Sequence, residues 1–428
     1  MSPSDEAPFD ARSPKGTYDV LPPESARWEA LIAAFAVLAE RHGLGLAHTP
    51  IFEDARVFRR GIGEASEVVG KEMYEFEDRS GRRLALRPEG TASIVRAFVQ
   101  HRPPTPWRVW YVTPAFRYEQ PQAGRSRQHH QVGVEVLGTD DPDLDVEVIS
   151  LAHDFYAALG LRAFRLRLNS LGDATCRPAY LAELRDYLAA MAPTLCGEHA
   201  EVWDRNPLRV LDCKRPECVE ATTDAPRLMA HLCEACRAHF ARVTEGLDAV
   251  GVAWVLDERL VRGLDYYTRT TFEFNAESID GASDAIGGGG RYDGLVESLG
   301  GPATPGIGFG SGIERILLAC DAEGAFALAA PSADVFVVDV TGGEFARDLV
   351  VALRRGGIRA ERAYDARSMK SQLKAADRSG ARRAVIVGPA ELEAGTAVVR
   401  DLVAGTQSTV ALDELHEHLA SNEAQGAL

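Results

Sequence analysis

The sequence predicts an α+β protein: a largely antiparallel sheet flanked by helices, interrupted by a helical insertion and followed by a small α/β domain. Three observations predict it. Segments of apolar and polar alternation cluster as hairpins along the main body. A stretch from Asp173 to about Gly251 switches to helical spacing and holds six of the seven cysteines. Beyond the Ala-rich segment Glu323–Ser332, which reads as a linker, strands and helices alternate.

The elements follow in order. Trp28, Leu31, Ile32, Phe35 and Leu38 recur at helical spacing, so Glu24 to His42 is an amphipathic helix that Gly43 stops. Leu46 to Phe52 is extended and contains Pro50. Met73–Glu77 and Arg83–Arg87 form a hairpin around Arg79-Ser80-Gly81. Pro88 marks the start of a helix running to about His101. Trp107–Tyr118 and Gln131–Leu137 are long strands joined by the polar connection Glu119–His130, which carries Arg125 and Arg127. A helix, Asp143–Leu159, and a strand, Phe164–Asn169, precede the insertion. Strands resume at Val252, Phe272 and Ala282, and a strand-to-helix element covers Gly306–Cys320. Past the linker come strand Asp334–Val340, helices Gly343–Arg355 and Ser368–Ser379, and strand Arg383–Val387, in a mostly parallel sheet. The expected divisions are 1–172, 173–251 (insertion), 252–323, 324–333 (linker) and 334–428.

Composition narrows the class. The 428 residues suit two to four domains, and 46% hydrophobic with 26% charged residues is an ordinary globular balance. No run of apolar residues is long enough to span a membrane, and Met1–Lys15 lacks the basic-then-apolar order of a secretory signal. Seven cysteines are too sparse for a disulfide scaffold, so reduced thiols in the cytoplasm are expected. A net charge of −16 opposes nonspecific binding to nucleic acid. Its distribution differs: Arg354 to Arg383 holds ten Lys or Arg against three Asp or Glu. Such a basic stretch is either a face for a partner that binds in one orientation or a solvated helix surface.

The chemistry concentrates in a few segments. Arg262-Gly263-Leu264-Asp265-Tyr266-Tyr267 crowds a guanidinium, a carboxylate and two phenols at the lip of a strand; the Arg can fork onto a carboxylate or phosphate. Arg117 and Glu119 sit two apart at a strand end, where such spacing is usually a surface ion pair. Gly306 to Arg315 is glycine-rich without the G-x-G-x-x-G spacing, so it reads as a strand entering a helix that delivers Arg315 to an anion. Glu89 and Thr91 lie at a helix start, where capping would explain them. Gln131 and Glu135 share one strand face; a half-buried polar ladder is the alternative. Cys213-x4-Cys218 and Cys233-x2-Cys236 offer four thiolates to a structural zinc, with Cys196 as a substitute ligand, or else are free thiols on helices.

Arg262–Tyr267 and Gly288-Gly289-Gly290-Arg291-Tyr292-Asp293-Gly294-Leu295 resemble the two histidine-specific signatures of histidyl-tRNA synthetases. The segments at Pro50, at Arg117–Glu119 and at Gly306–Arg315 resemble the three motifs of class II aminoacyl-tRNA synthetases, in the same order. The resemblance implies a class II catalytic sheet, a C-terminal anticodon-binding domain and a homodimer built around the Pro50 motif. It implies a histidine–tRNA ligase whose substrates are L-histidine, ATP with Mg²⁺, and tRNA(His). In it, Arg117 and Arg262 are the catalytic arginines. Arg117, Glu119, Arg125, Arg262 and Arg315 bind ATP, with Arg117 on the α-phosphate and Arg315 on the γ-phosphate. Glu89, Thr91, Gln131, Glu135, Tyr266 and Tyr267 bind histidine. A site built to hydrogen-bond an imidazole rejects apolar analogues by about 10⁴–10⁵-fold. The family requires no zinc. Tyr118 departs from the His that many members carry there. A non-catalytic relative, the regulatory subunit of ATP phosphoribosyltransferase, is the rival reading, but it typically lacks the C-terminal domain and has degraded signatures.

Overall fold

The computed structural model describes residues 11–421 except 64, 65, 67, 280–283, 328–332 and 366. The chain forms two compact units, Met1–Leu328 and Ala329–Leu428. The expected strand start at Ala282 and half of the expected linker lie outside the described residues.

The first unit is organised by an eight-stranded sheet. Its strands, numbered along the chain, are β1 (Gly45–Leu46), β2 (Trp107–Phe116), β3 (Gln128–Leu137), β4 (Phe164–Ser170), β5 (Trp254–Leu256), β6 (Thr268–Ala276), β7 (Ala285–Arg291) and β8 (Gly306–Gly312). They lie in the order β1-β2-β3-β8-β7-β6-β4-β5. The six central strands pair antiparallel, and only the short edge strands β1 and β5 pair parallel. The β2–β3 hairpin is the longest ladder, and β3 begins at Gln128, three residues earlier than expected. A separate three-stranded sheet contains the predicted hairpin, Glu75–Glu77 with Arg83–Leu86, and adds Phe52–Asp54 on the other side.

Side-chain alternation divides the large sheet into two unlike faces. Val132, Val134 and Val136 of β3, Ile307 and Phe309 of β8, and Phe272 and Phe274 of β6 all join one buried apolar cluster. Helices Glu24–Arg41 and Pro142–Ala158 cover it with Leu31, Phe35, Phe155 and Tyr156. Each fully buried aliphatic or Phe side chain contributes about 1.5–3 kcal/mol. The residues between them, on the opposite face, are Gln131, Gly133, Glu135, Gly308, Gly310 and Gly312, opposed in register by Gly288 and Gly290.

Arg291 locks the rim of the sheet. Its fully buried guanidinium pairs with Asp145 at 2.6 Å and donates to the carbonyls of Thr139 and Asp141, while His239 holds the other Asp145 oxygen at 2.8 Å.

Between β4 and β5 run helices Arg177–Met191 and Glu234–Ala249, with short helical turns between them. The four predicted zinc ligands do not form one set here: Cys213 and Cys218 gather with Cys196 and His199, whereas Cys233 and Cys236 gather with Asp173 and Cys176. Sequence proximity pairs the cysteines correctly, but the helical turns carry the two pairs to different places.

In the second unit, Val335–Asp339 pairs parallel with Ala360–Arg362 and with Arg383–Val387. The sheet then continues antiparallel through Thr396–Asp401 and Gln407–Ala411. It is therefore mixed rather than mostly parallel, because the connections 388–395 and 402–406, the second turning through Gly405, are too short for the crossover a parallel pair needs. Helices Glu344–Arg355 and Met369–Ser379 flank it.

Candidate active site

The glycines of β7 and β8 pave the centre of the polar face. A Cβ on Gly288 would stand 2.7 Å from Arg262 Nη1, one on Gly310 would stand 3.4 Å from Gln131 Nε2, and one on Gly308 would collide with the Glu135 carboxylate. Bare backbone thus forms a floor on which a flat ligand can lie, with charged side chains rising on both sides.

At one end is a cavity of about 180 Å³. Arg117, Glu119, Arg125, Gln131, Arg262 and Arg315 all line it. The predicted ATP-binding residues therefore meet in one hollow, and Gln131 of the predicted histidine set reaches it too. Each arginine is held before any ligand arrives. Arg117 Nε donates to the Pro88 carbonyl at 2.9 Å. Arg315, in the first turn of helix Ile313–Glu323, donates to the carbonyls of Gly124 (2.9 Å) and Ala285 (3.0 Å). Arg262 Nη1 donates to Glu273 at 2.5 Å. Among the described residues no side chain caps that helix at Gly312, which also lines the cavity; the N–H groups of a first helical turn suit an anion. A second hollow of about 540 Å³ shares Arg117, Arg125, Arg262 and Arg315 and adds Arg167, Lys214 and Arg259.

The other predicted histidine residues form a buried cluster along the same floor. Glu135 is fully buried; it accepts from Thr91 Oγ1 at 2.6 Å, from Tyr111 at 3.4 Å and from Tyr292. Burial, with Glu89 nearby, pushes its carboxyl up to about 8 against the hydrogen bonds that oppose the shift. Glu89 accepts from the backbone N–H groups of Thr91 and Ala92, both at 2.7 Å, so it caps helix Thr91–His101 as the sequence alternative held. Burial raises its pKa as well. Tyr266 and Tyr267 stack obliquely, 4.6 Å between centroids, and Tyr266 also packs edge-on against Tyr292. Burial raises both phenols, and Glu89 and Glu135 add to it.

Sequence reasoning passed over several residues. Tyr292 stands inside the quoted second signature, so its phenol on Glu135 was within reach. Glu273 lies on the strand already read as following Tyr267, at the period-two position facing Arg262. Glu314 follows the β8 glycines and accepts from the His130 backbone N–H (2.9 Å), His130 Nδ1 (3.0 Å) and Tyr18 (3.0 Å). His129 gave no signal at all: it lines the cavity, and loss of water, then Arg117 and Arg315, pushes its imidazole down to about 3.

A family profile described as Histidyl-tRNA synthetase matches residues 16–316, and one described as Anticodon binding domain matches residues 334–422. The chain belongs to the histidyl-tRNA synthetase family. Relatives named histidine–tRNA ligase include one from Moorella thermoacetica, 50% identical across 93% of this chain and 95% of its own. Another, from Desulforamulus reducens, is 47% identical across 94% and 97%. The apo histidyl-tRNA synthetase of S. aureus superposes with a TM-score of 0.81 at 34% identity, covering 95% of this chain and 99% of that one. An ATP phosphoribosyltransferase regulatory subunit/histidyl-tRNA synthetase from Bacillus halodurans shares the fold at 21% identity and a TM-score of 0.64. Membership of the synthetase family covers both halves of the sheet and the second unit. Among the described residues no helix is long and apolar enough to cross a membrane.

Proposed function

We infer that this chain is a histidine–tRNA ligase that activates L-histidine with ATP and transfers the histidyl group to the 3′ end of tRNA(His). The observation that carries the reading is the convergence of Arg117, Arg262 and Arg315 on one glycine-floored hollow beside the buried Glu135. Activation joins two anions, the histidine carboxylate and the α-phosphate. Arg262 and Arg117 neutralise them and align the in-line attack, Arg315 takes the far end of the triphosphate, and Glu119 and Arg125 complete the nucleotide contacts. No covalent bond to a side chain is needed.

Mg²⁺ would accompany the triphosphate and offset its charge; Glu119 and Glu273, which line the same cavity, would supply oxygen donors to it. Glu135, with Tyr267 and Tyr266, receives the imidazole, while Gln131 and Thr91 hold the amino-acid end. Glu89 acts on the α-ammonium through the oxygen lone pairs that its two capping bonds leave over.

Two further features belong to this reading. Leu46, Ile51, Phe52 and Phe76 are exposed around the Pro50 motif, a patch suited to a homodimer interface. All seven cysteines are free, as in a cytoplasmic protein. The regulatory reading fits less well, since the arginine lining and the second unit are both present.

The test is exchange of labelled pyrophosphate into ATP with each amino acid in turn. Exchange with histidine alone is expected; silence with histidine returns the chain to the regulatory class.

A further inference from the structure

We propose that the segment between β4 and β5 binds two zinc ions, one held by Cys196, His199, Cys213 and Cys218 and the other by Asp173, Cys176, Cys233 and Cys236. In each group the four ligand atoms lie within 4.8 Å of one another. A tetrahedral zinc with Zn–S bonds of about 2.3 Å places its sulfurs about 3.8 Å apart. Cys176 and Cys236 stand at 3.9 Å, and Cys196 Sγ is 3.1 Å from His199 Nδ1, so little movement closes either shell.

The composition of each group also points to a metal. Three sulfurs converge with one nitrogen or oxygen ligand. A disulfide would use two sulfurs and leave the third, with His199 or Asp173, without purpose. Each group joins two local pairs separated along the chain, the usual construction of a structural zinc site. The sequence pairs are Cys196-x2-His199 with Cys213-x4-Cys218, and Asp173-x2-Cys176 with Cys233-x2-Cys236. Backbone N–H groups already point at the sulfurs: Cys196 N donates to Cys218 Sγ and Asp173 N to Cys176 Sγ, both at 3.4 Å. Such bonds stabilise a thiolate ligand.

The surroundings need a staple. Helical turns Gly197–Ala200, Pro207–Asp212 and Pro216–Ala221 have four to six residues, far below the length at which a helix stands by itself. The first site ties these three turns together. The second ties the start of helix Glu234–Ala249 to the turn leaving β4. Next to Cys176, Arg177 donates to the carbonyls of Leu171 (2.8 Å) and Tyr267 (2.6 Å). The second ion therefore braces the backbone of a pocket tyrosine.

Elemental analysis of the full-length protein, purified without chelators, tests the assignment. Two zinc ions per chain are expected, falling to one in Cys213→Ser, to one in Cys233→Ser and to none in the double variant. Should a variant fail to fold, cobalt exchanged into the unaltered protein supplies a second reading: intense visible bands of tetrahedral cobalt thiolate at two equivalents per chain. Fewer than two zinc ions in the unaltered protein overturns the proposal. So do disulfides in the freshly purified chain, or zinc that survives both substitutions.

Discussion

Arg262 and Glu135 carry the sharpest demands on single residues. Arg262 rests on Glu273 at 2.5 Å, so its place is set without ligand. In the proposed reaction its positive charge acts where two anions are forced together. Arg262→Ala should therefore lower histidine-dependent pyrophosphate exchange by about 10²–10³-fold while tRNA affinity stays nearly constant. Lost tRNA binding with exchange intact would give Arg262 a different task. Glu135 titrates in an unusual window. Its folded pKa lies near 8 against an ordinary 4.5, because burial opposes the charged form. A raised folded pKa stabilises the protein fully below pH 4.5 and loses that contribution as pH rises toward 8. Glu135→Gln cannot ionise and escapes the loss. Denaturant titrations should show the wild type losing stability relative to the variant across this window, and a constant difference would mean Glu135 is ionised throughout. The variant should also bind histidine poorly, since the amide turns an NH2 toward Thr91 or Tyr292, which both donate to Glu135, and disturbs the pocket.

At the level of elements, the glycine floor is a consequence of register. Gly288 faces Gly310 and Gly290 faces Gly308, while Glu135 stands directly opposite Gly308. Adding one methyl at Gly310 meets nothing closer than 3.4 Å, so the sheet should tolerate it, but the methyl rises into the space beside Gln131. Gly310→Ala should leave the melting temperature nearly unchanged and raise KM in the exchange reaction on the order of tenfold; an unaltered KM would show that ligand does not approach the floor there. This feature could not be read in the sequence, where the same glycines mark only a strand running into a helix. Which strand lies beside which is a long-range property, invisible to local periodicity. The β2–β3 hairpin, helix Glu24–Arg41 and the entry to helix Ile313–Glu323 were legible because period and stop signals are local. The cysteine grouping and the final strand pair were not, since short turns decided both. Within the site, residues at motif positions were readable, whereas His129 and Glu273 acquire meaning only from what the fold sets against them.

For the molecule as a whole, the division at Leu328 and Ala329 separates two kinds of work. Every residue that lines the arginine hollow belongs to the first unit. The second carries the basic stretch Arg354–Arg383, in which Arg362 lies over the exposed ring of Tyr364 at 4.5 Å. A ring already stacked by a guanidinium offers a platform for an unpaired base. In the proposed function tRNA(His) contacts each unit, and two linked contacts bind more tightly than either alone by about 10²–10⁴-fold. A chain ending at Leu328 should therefore retain histidine-dependent pyrophosphate exchange, because activation uses none of the missing residues. Its affinity for tRNA(His) should fall by about that factor, measured by filter binding at fixed salt, since phosphate contacts make the value salt-dependent. Tyr364→Ala in the full chain should reproduce part of the loss, about 1–3 kcal/mol if one base stacks there, with exchange untouched. If the shortened chain lost exchange while remaining folded, the second unit would have to act on the catalytic hollow itself, and the separation of activation from tRNA recognition would be wrong.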